Sequence, residues 1–324
     1  MKNIIKQKIH YLYQRKLLSI FIIGFMFVAI IYWIDFPTNI KMNINSRLER
    51  ELNLLTSVID SNVHNNANAL NYVHAHFKTE GVPDTATFRK LVKGIESQHP
   101  DSTPGIGFIS LVKKNDLSKF IQTHHDFPAE NLPHLYPEKE LFTRFMMVEP
   151  LSETRVKPLG IDMLDESARR LAIINAIKKS GITVSNSVLP LVCRNPIPFG
   201  SIILLLPYYD TFEVPLTAEL RLAHARGLIY IPLYLRDFFN NALGKNSINN
   251  ERVNFTLAYI DPVTSEEKII YQRFEMKMDN ETITRSQIMD LYGQKWKVTI
   301  YTLPEFLTFA DRYLANVSIA GLFL

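Results

Sequence analysis

A single cysteine, Cys193, stands in a chain of 324 residues. One thiol cannot close an internal disulfide, so the fold must rest on its core. There is no Cys pair, no Gly-x-Ser-x-Gly elbow and no phosphate loop. Gly105-x-Gly107 lacks a third glycine and a following helix start, and reads as a turn into a strand. His74 and His76 are two apart, which on a helix sets their rings about 200° apart. A helical zinc pair needs i, i+4 spacing. His124-His125 beside Asp126 lies in a polar stretch and offers at most a surface metal contact. Acids and serines are many, but no spacing singles out a catalytic pair. No enzymatic activity, metal or cofactor is therefore expected. Internal repeats and low-complexity segments are also missing.

Acidic residues are absent from the first sixteen positions, which carry Lys2, Lys6, Lys8, Arg15 and Lys16. Those five account for the formal charge of +4. The rest of the chain is close to neutral, so no nucleic-acid surface is expected. Leu17 to Ile34 follows with no charge at all. As a helix it spans about 27 Å, close to the ~30 Å hydrocarbon core. Basic residues ahead of it place residues 1–16 in the cytoplasm, and Tyr32-Trp33 suit the opposite interface. A cleaved signal peptide competes, but IDFPTNIK lacks a small-x-small cleavage site. The expectation is an uncleaved anchor over 17–34 in the inner (plasma) membrane, with the remainder periplasmic or extracellular.

Residues 38–78 read as one stalk helix, with a stripe through Ile40, Ile44, Leu48, Leu52, Leu55, Ile59, Val63, Leu70, Val73 and Phe77. The gaps of 3 and 4 approach a heptad seam. The stripe packs on its own domain, pairs with a second copy as a homodimer, or does each along different parts, and its length favours some dimer contact. Gly81-Val82-Pro83 ends it. A short helix over 84–97, a strand over 105–112 and a helix over 115–123 follow, then a polar loop over 124–139. Later strands are expected at 228–235, 254–261, 268–274 and 294–302, with a helix at 236–243. Leu303 to Ala315 reads as helical. Residues 313–324 are apolar but too short to span. They read as the start of a second, truncated transmembrane helix, or as an ordinary helix packed on the domain. The whole is a mixed α/β (α+β) chain.

The central stretch runs from Phe142 to Tyr209. It holds Val148-Glu149-Pro150-Leu151, then Leu159-Gly160-Ile161-Asp162. A helix with Arg169-Arg170 ends at Ser180-Gly181, an apolar segment spans Val184 to Val192, and Pro207-Tyr208-Tyr209 closes a second. Arg226-Gly227 and Gly293-x-x-Trp296 come later. In order and spacing this resembles the CHASE domain, the extracytoplasmic sensory domain of membrane-bound cyclases and histidine kinases, over residues 80–310. No single motif is specific.

The resemblance implies two PAS-like subdomains on a long N-terminal helix, flanking transmembrane helices, a dimer, and a small-molecule ligand in the membrane-distal subdomain. The plant cytokinin-receptor members carry an adenine-binding carboxylate near Glu149; Glu149 does not replace it, so a cytokinin is not implied. Their pocket threonine lines up with Asn186. On that alignment Asn186, Ser187, Leu191, Leu204 and Leu206 line a pocket, with Glu149 beside it, although the leucines read first as strand core. Asp162 reads as a helix cap or turn residue. The expected function is the input module of a receptor that signals across the membrane. An adhesion module and a receptor fragment without its output domain are the alternatives.

Overall fold

The apolar seam from Ile44 to Phe77 finds its partner surface within the same chain. In this computed structural model Ile44, Leu48, Leu52, Leu55, Ile59, Val63, Leu70, Val73 and Phe77 are all buried. They belong to one helix, α1 (Lys2–Glu80), of 79 residues, about 118 Å long at 1.5 Å per residue. The exposed face of α1 is polar: Asn53, Ser57, Ser61, Asn65 and Asn68, with Leu54 and Tyr72 among them. Packing on its own chain is thus one use of the seam.

The structure describes residues 2–98, 105–123, 139–151, 159–186, 201–245, 252–275, 282–308 and 311, without the side chains of 2–16, 28–40 and 242–245. Ser187, Leu191, Cys193, most of the 124–139 loop and the segment 313–324 lie outside them. Anchor and stalk, read as separate in the sequence, are one helix; Pro37 removes a single N–H from the ladder. Among the described residues no helix is long and apolar enough to cross a membrane.

The chain divides into two compact units. One comprises 1–51, 251–253 and 302–324. Inside it Leu303 donates its N–H to the Arg252 carbonyl at 2.8 Å, and a single 3-10 turn covers Pro304–Phe306. The Arg47 guanidinium stacks on the Phe306 ring at 5.2 Å. The expected helix over 303–315 is thus a turn at its start, because Pro304 leaves Leu303 extended (φ −90°, ψ 163°).

The other unit comprises 52–250 and 254–301. It contains helices α2 (Thr85–Gln98) and α3 (Lys114–Thr123), and strands β1 (Ile106–Lys113) and β2 (Leu141–Glu149). Next come α4 (Ser167–Lys179), β3 (Thr183–Val184), β4 (Ser201–Tyr209), α5 (Ala218–His224), β5 (Ala225–Tyr234) and α6 (Leu235–Lys245). Its strands form a five-stranded antiparallel sheet ordered β2-β1-β5-β4-β3. A second sheet of four strands is ordered β7-β6-β9-β8, from β6 (Val253–Ile260), β7 (Glu267–Gln272), β8 (Thr284–Leu291) and β9 (Gln294–Thr302). A long helix with two antiparallel sheets is the mixed α/β architecture expected, although both sheets fall almost wholly within this one unit.

Side chains alternate across a strand, which assigns the two faces of the first sheet. Ile109, Phe145, Ile203, Leu205, Leu228 and Tyr230 share a core with Ile173, Ala176 and Ile177 of α4. On the opposite face Phe77 of α1 meets Phe88 of α2, Phe108 of β1 and Tyr208 of β4, with ring centroids 6.2, 5.3 and 5.7 Å apart. Edge-to-face aromatic pairs add about 0.5–1.5 kcal/mol each beyond burial. α3 covers the far end of that face, where Leu117 packs on Val112 and Phe142. Two glycines permit this packing. A Cβ on Gly107 would overlap the Tyr230 ring opposite it, and one on Gly227 would overlap the Phe108 ring. Beneath the second sheet α6 supplies Phe239, which stacks on Tyr271 at 4.4 Å and Phe255 at 5.0 Å.

Candidate functional site

Polar groups buried at the outer edge of β2 form the densest cluster described. β2 is an edge strand, and the segment after Leu159 satisfies its outward backbone groups. Gly160 donates to the Phe145 carbonyl at 3.0 Å, and Phe145 donates to the Ile161 carbonyl at 3.3 Å. Asp162 anchors the turn that follows. Its Oδ1 accepts from the Thr143 N–H (3.0 Å), the Thr143 hydroxyl (2.7 Å) and the Leu164 N–H (3.0 Å). Its Oδ2 accepts from Lys139 Nζ at 2.7 Å, and Lys139 also reaches Asp165 at 2.6 Å. Burial lowers the Lys139 pKa, but bonding to both carboxylates outweighs it and the net shift is upward. Asp162 is thus the turn residue, and the cap of α4 is Glu166, which accepts from the N–H groups of Ala168 and Arg169. At the other end of α4 Ser180, not Gly181, takes the left-handed conformation (φ 65°).

Arg144 lies inside this cluster with 1% of its side chain exposed. Its Nη1 donates to the Thr143 carbonyl at 2.7 Å, and Asp162 Oδ2 is 3.6 Å from that same nitrogen. Among the described residues its Nε and Nη2 have no hydrogen-bond partner. Burial pushes its pKa below the ordinary arginine value, offset in part by Asp162 and Asp165; the guanidinium keeps its charge. The Phe142 ring flanks it at 5.7 Å. Buried donors left unmet cost about 1–3 kcal/mol, more when charged, so such a group calls for an occupant.

The sequence-derived site residues do not gather at one point. Glu149 is buried at the end of β2, where Oε1 accepts from Arg89 Nε of α2 at 2.9 Å and Oε2 from the Leu151 N–H at 3.1 Å. Leu204 and Leu206 are buried in β4, three strand positions away in the sheet order, about 14 Å at ~4.8 Å per strand. By alternation they share the face of Tyr208, which packs on Phe77. Asn186 is exposed just past β3, in the neighbourhood of the Tyr259 hydroxyl of β6. Ser187 and Leu191 lie outside the described residues. Sequence reading passed over Arg144 and Lys139. The signal for Arg144 was one cation within the otherwise apolar run FTRFMMV.

On the α4 face Tyr209 donates its hydroxyl to the Ile177 carbonyl at 2.7 Å, and burial raises its pKa to about 12. Among the described residues no group of three or more His, Cys, Asp or Glu is placed to hold a metal ion.

An extracytoplasmic sensory class is what the comparisons define. The family model of the CHASE domain matches residues 83–271, more than half of the chain, taking in the whole five-stranded sheet and its helices. The chain belongs to the CHASE domain family. No curated protein matches it. Among solved structures, it is similar to an extracellular ligand-binding receptor from Desulfohalobium retbaense at 10% identity and TM-score 0.47, covering 78% of this chain and 39% of that one. The chain thus spans well under half of that receptor's length. It is similar too to the periplasmic sensory domain of the Campylobacter jejuni chemoreceptor Tlp1, at 10% identity and TM-score 0.46, covering 82% of this chain and 97% of that one.

Proposed function

We propose that the chain is the input module of a membrane-bound receptor, whose two sheets are PAS-like subdomains and whose first subdomain binds a small molecule. Membership of the CHASE family over the entire five-stranded sheet carries this reading. Support for the anchor comes from residues 17–27, every one of which is exposed, including Phe21 at 77% and Phe25 at 71%. An apolar collar of this kind is stable in lipid and costly in water. On this reading residues 1–16 are cytoplasmic, the sheets lie across the membrane, and catalysis belongs to an output partner or domain. Any homodimer through α1 uses its polar face near Leu54 and Tyr72, since the seam is occupied. Ligand acts by binding two conformations unequally. A thermal-shift screen of small molecules on the full chain in detergent tests the reading. A saturable rise of about 5 °C at 100-fold excess over Kd is expected for at least one chemical class. A screen without any such class removes the small-molecule reading.

A protein-docking module is the second reading, favoured by Phe212 and Leu216, which stand 79% and 89% exposed between β4 and α5. Capture of a partner that Phe212→Ser and Leu216→Ser abolish would favour it.

A further inference from the structure

The unmet edge of Arg144 is specific in shape. In a guanidinium, Nε–H and the Nη2 hydrogen on the same side point in parallel and form the fork that grips a carboxylate through both oxygens. In Arg144 that edge, Nε with Nη2, is the one without partners among the described residues, while Nη1 is held by the Thr143 carbonyl. The nearest acid cannot turn to fill it. Asp162 spends Oδ1 on three donors from Thr143 and Leu164, and Oδ2 on Lys139. The guanidinium is therefore held at one nitrogen and left buried and unmet at the other two.

Its position along β2 is equally defined. Toward the start of the strand Phe142 is covered by Leu117 of α3, and toward the end Glu149 is tied to Arg89 of α2. By alternation Arg144 leaves β2 on the face of Phe142, between those two helices, with the Phe142 ring beside it. Lys139 Nζ lies over the same ring at 5.2 Å, but it is held by Asp162 and Asp165 and leaves Arg144 as the group with unmet donors. A planar anion reaching this place meets a preformed fork and an aromatic wall.

We propose that Arg144 is the anchor of a binding site for the carboxylate group of a small organic acid, engaged bidentately through Nε and Nη2. The site is separate from the strand positions around Asn186, Leu204 and Leu206, and gives the receptor reading a ligand class. It rests on that reading only for its biological purpose; the binding itself is testable alone.

The test titrates acetate, succinate, citrate and α-amino acids, with their primary amides as controls, against the full chain in detergent by calorimetry and thermal shift. At least one carboxylate is expected to bind while its amide does not. Arg144→Lys keeps the charge and loses the fork, and should weaken that binding by about tenfold or more. Arg144→Met should abolish it while unfolding at the wild-type temperature or above, since it removes the unmet donors. The proposal is overturned if no carboxylate in the panel binds, whether water or an acid of the chain's own fills the fork. It is equally overturned if one binds wild type and Arg144→Met alike. A neutral ligand that shifts both proteins equally would keep the receptor reading and remove this site.

Discussion

Arg47 Nη2 and Asp311 Oδ2 meet at 2.6 Å across 264 positions of sequence. The same Asp311 oxygen accepts from the Thr308 N–H and hydroxyl, each at 2.8 Å. One carboxylate thereby caps a local turn and binds a guanidinium on α1. Burial raises its pKa, but the Thr308 bonds and Arg47 outweigh that and the net shift is downward. A depressed folded pKa gives stability that is complete above the ordinary Asp value and is lost as pH falls through the depressed one. Asp311→Asn should therefore lower stability by about 1 kcal/mol at neutral pH. The difference from wild type should close below about pH 3.9. Thermal unfolding from pH 7 to pH 3 reads this; a gap constant with pH would refute it.

Glu149 holds α2 to the end of β2, and that is a structural task. Glu149→Gln should cost about 2–3 kcal/mol, because a buried carboxylate loses its charge pairing with Arg89. Chemical denaturation measures the loss. Affinity for any ligand found in screening should stay within about twofold of wild type. A stable Glu149→Gln protein that no longer binds would instead make Glu149 a ligand contact.

Gly107→Ala should lower stability by about 1–3 kcal/mol, since the new methyl overlaps the Tyr230 ring. Tyr230→Phe in the same background should not restore it, because ring carbons as well as the hydroxyl stand in the way. Equal stability of Gly107→Ala and wild type would show that Tyr230 has another rotamer to occupy.

His74 packs edge-on against Tyr208 at 6.4 Å, beside the Phe77 cluster. Burial lowers its pKa, with Lys78 adding to the effect and a Pro207 backbone bond opposing it. Its neutral form is thus the stabilising one, and that stability is present above the ordinary His value and lost as pH falls through the lowered one. Wild-type stability should decline as pH falls below about 6.5, by no more than ~1.4 kcal/mol per pH unit. His74→Gln should lack that part of the slope. Identical pH profiles for the two proteins would exclude His74 as the source.

Period carried the legible part of the fold. The seam of α1 shows the 3-and-4 spacing of a buried helix face, and every stripe position with a described side chain is indeed buried. β1, β6 and β9 are apolar or alternating and were readable as strands. β8 was not: five of its first six residues, Thr284 to Ile288, are exposed, so burial left no pattern in the sequence. The Phe142–Glu149 run was seen, but not as an edge strand, because edge or centre is decided by which partner is missing. Arg144 was visible as a charge among apolar residues, whereas its unmet fork depends on where Asp162 has already spent its oxygens. The family resemblance gave Glu149 and Leu204 the same part, and only the strand order separates them.

The margins of the five-stranded sheet bear on how copies of the chain can associate. At one side β2 has its outward groups taken by Gly160, Ile161 and Asp162; at the other β3 is two residues long. A margin sealed by its own loop, opposite one too short to template, resists the strand-to-strand addition through which sheet proteins aggregate or swap. Association between copies is thereby left to helices and side chains, whose contacts can slide and rotate without breaking a ladder of backbone bonds.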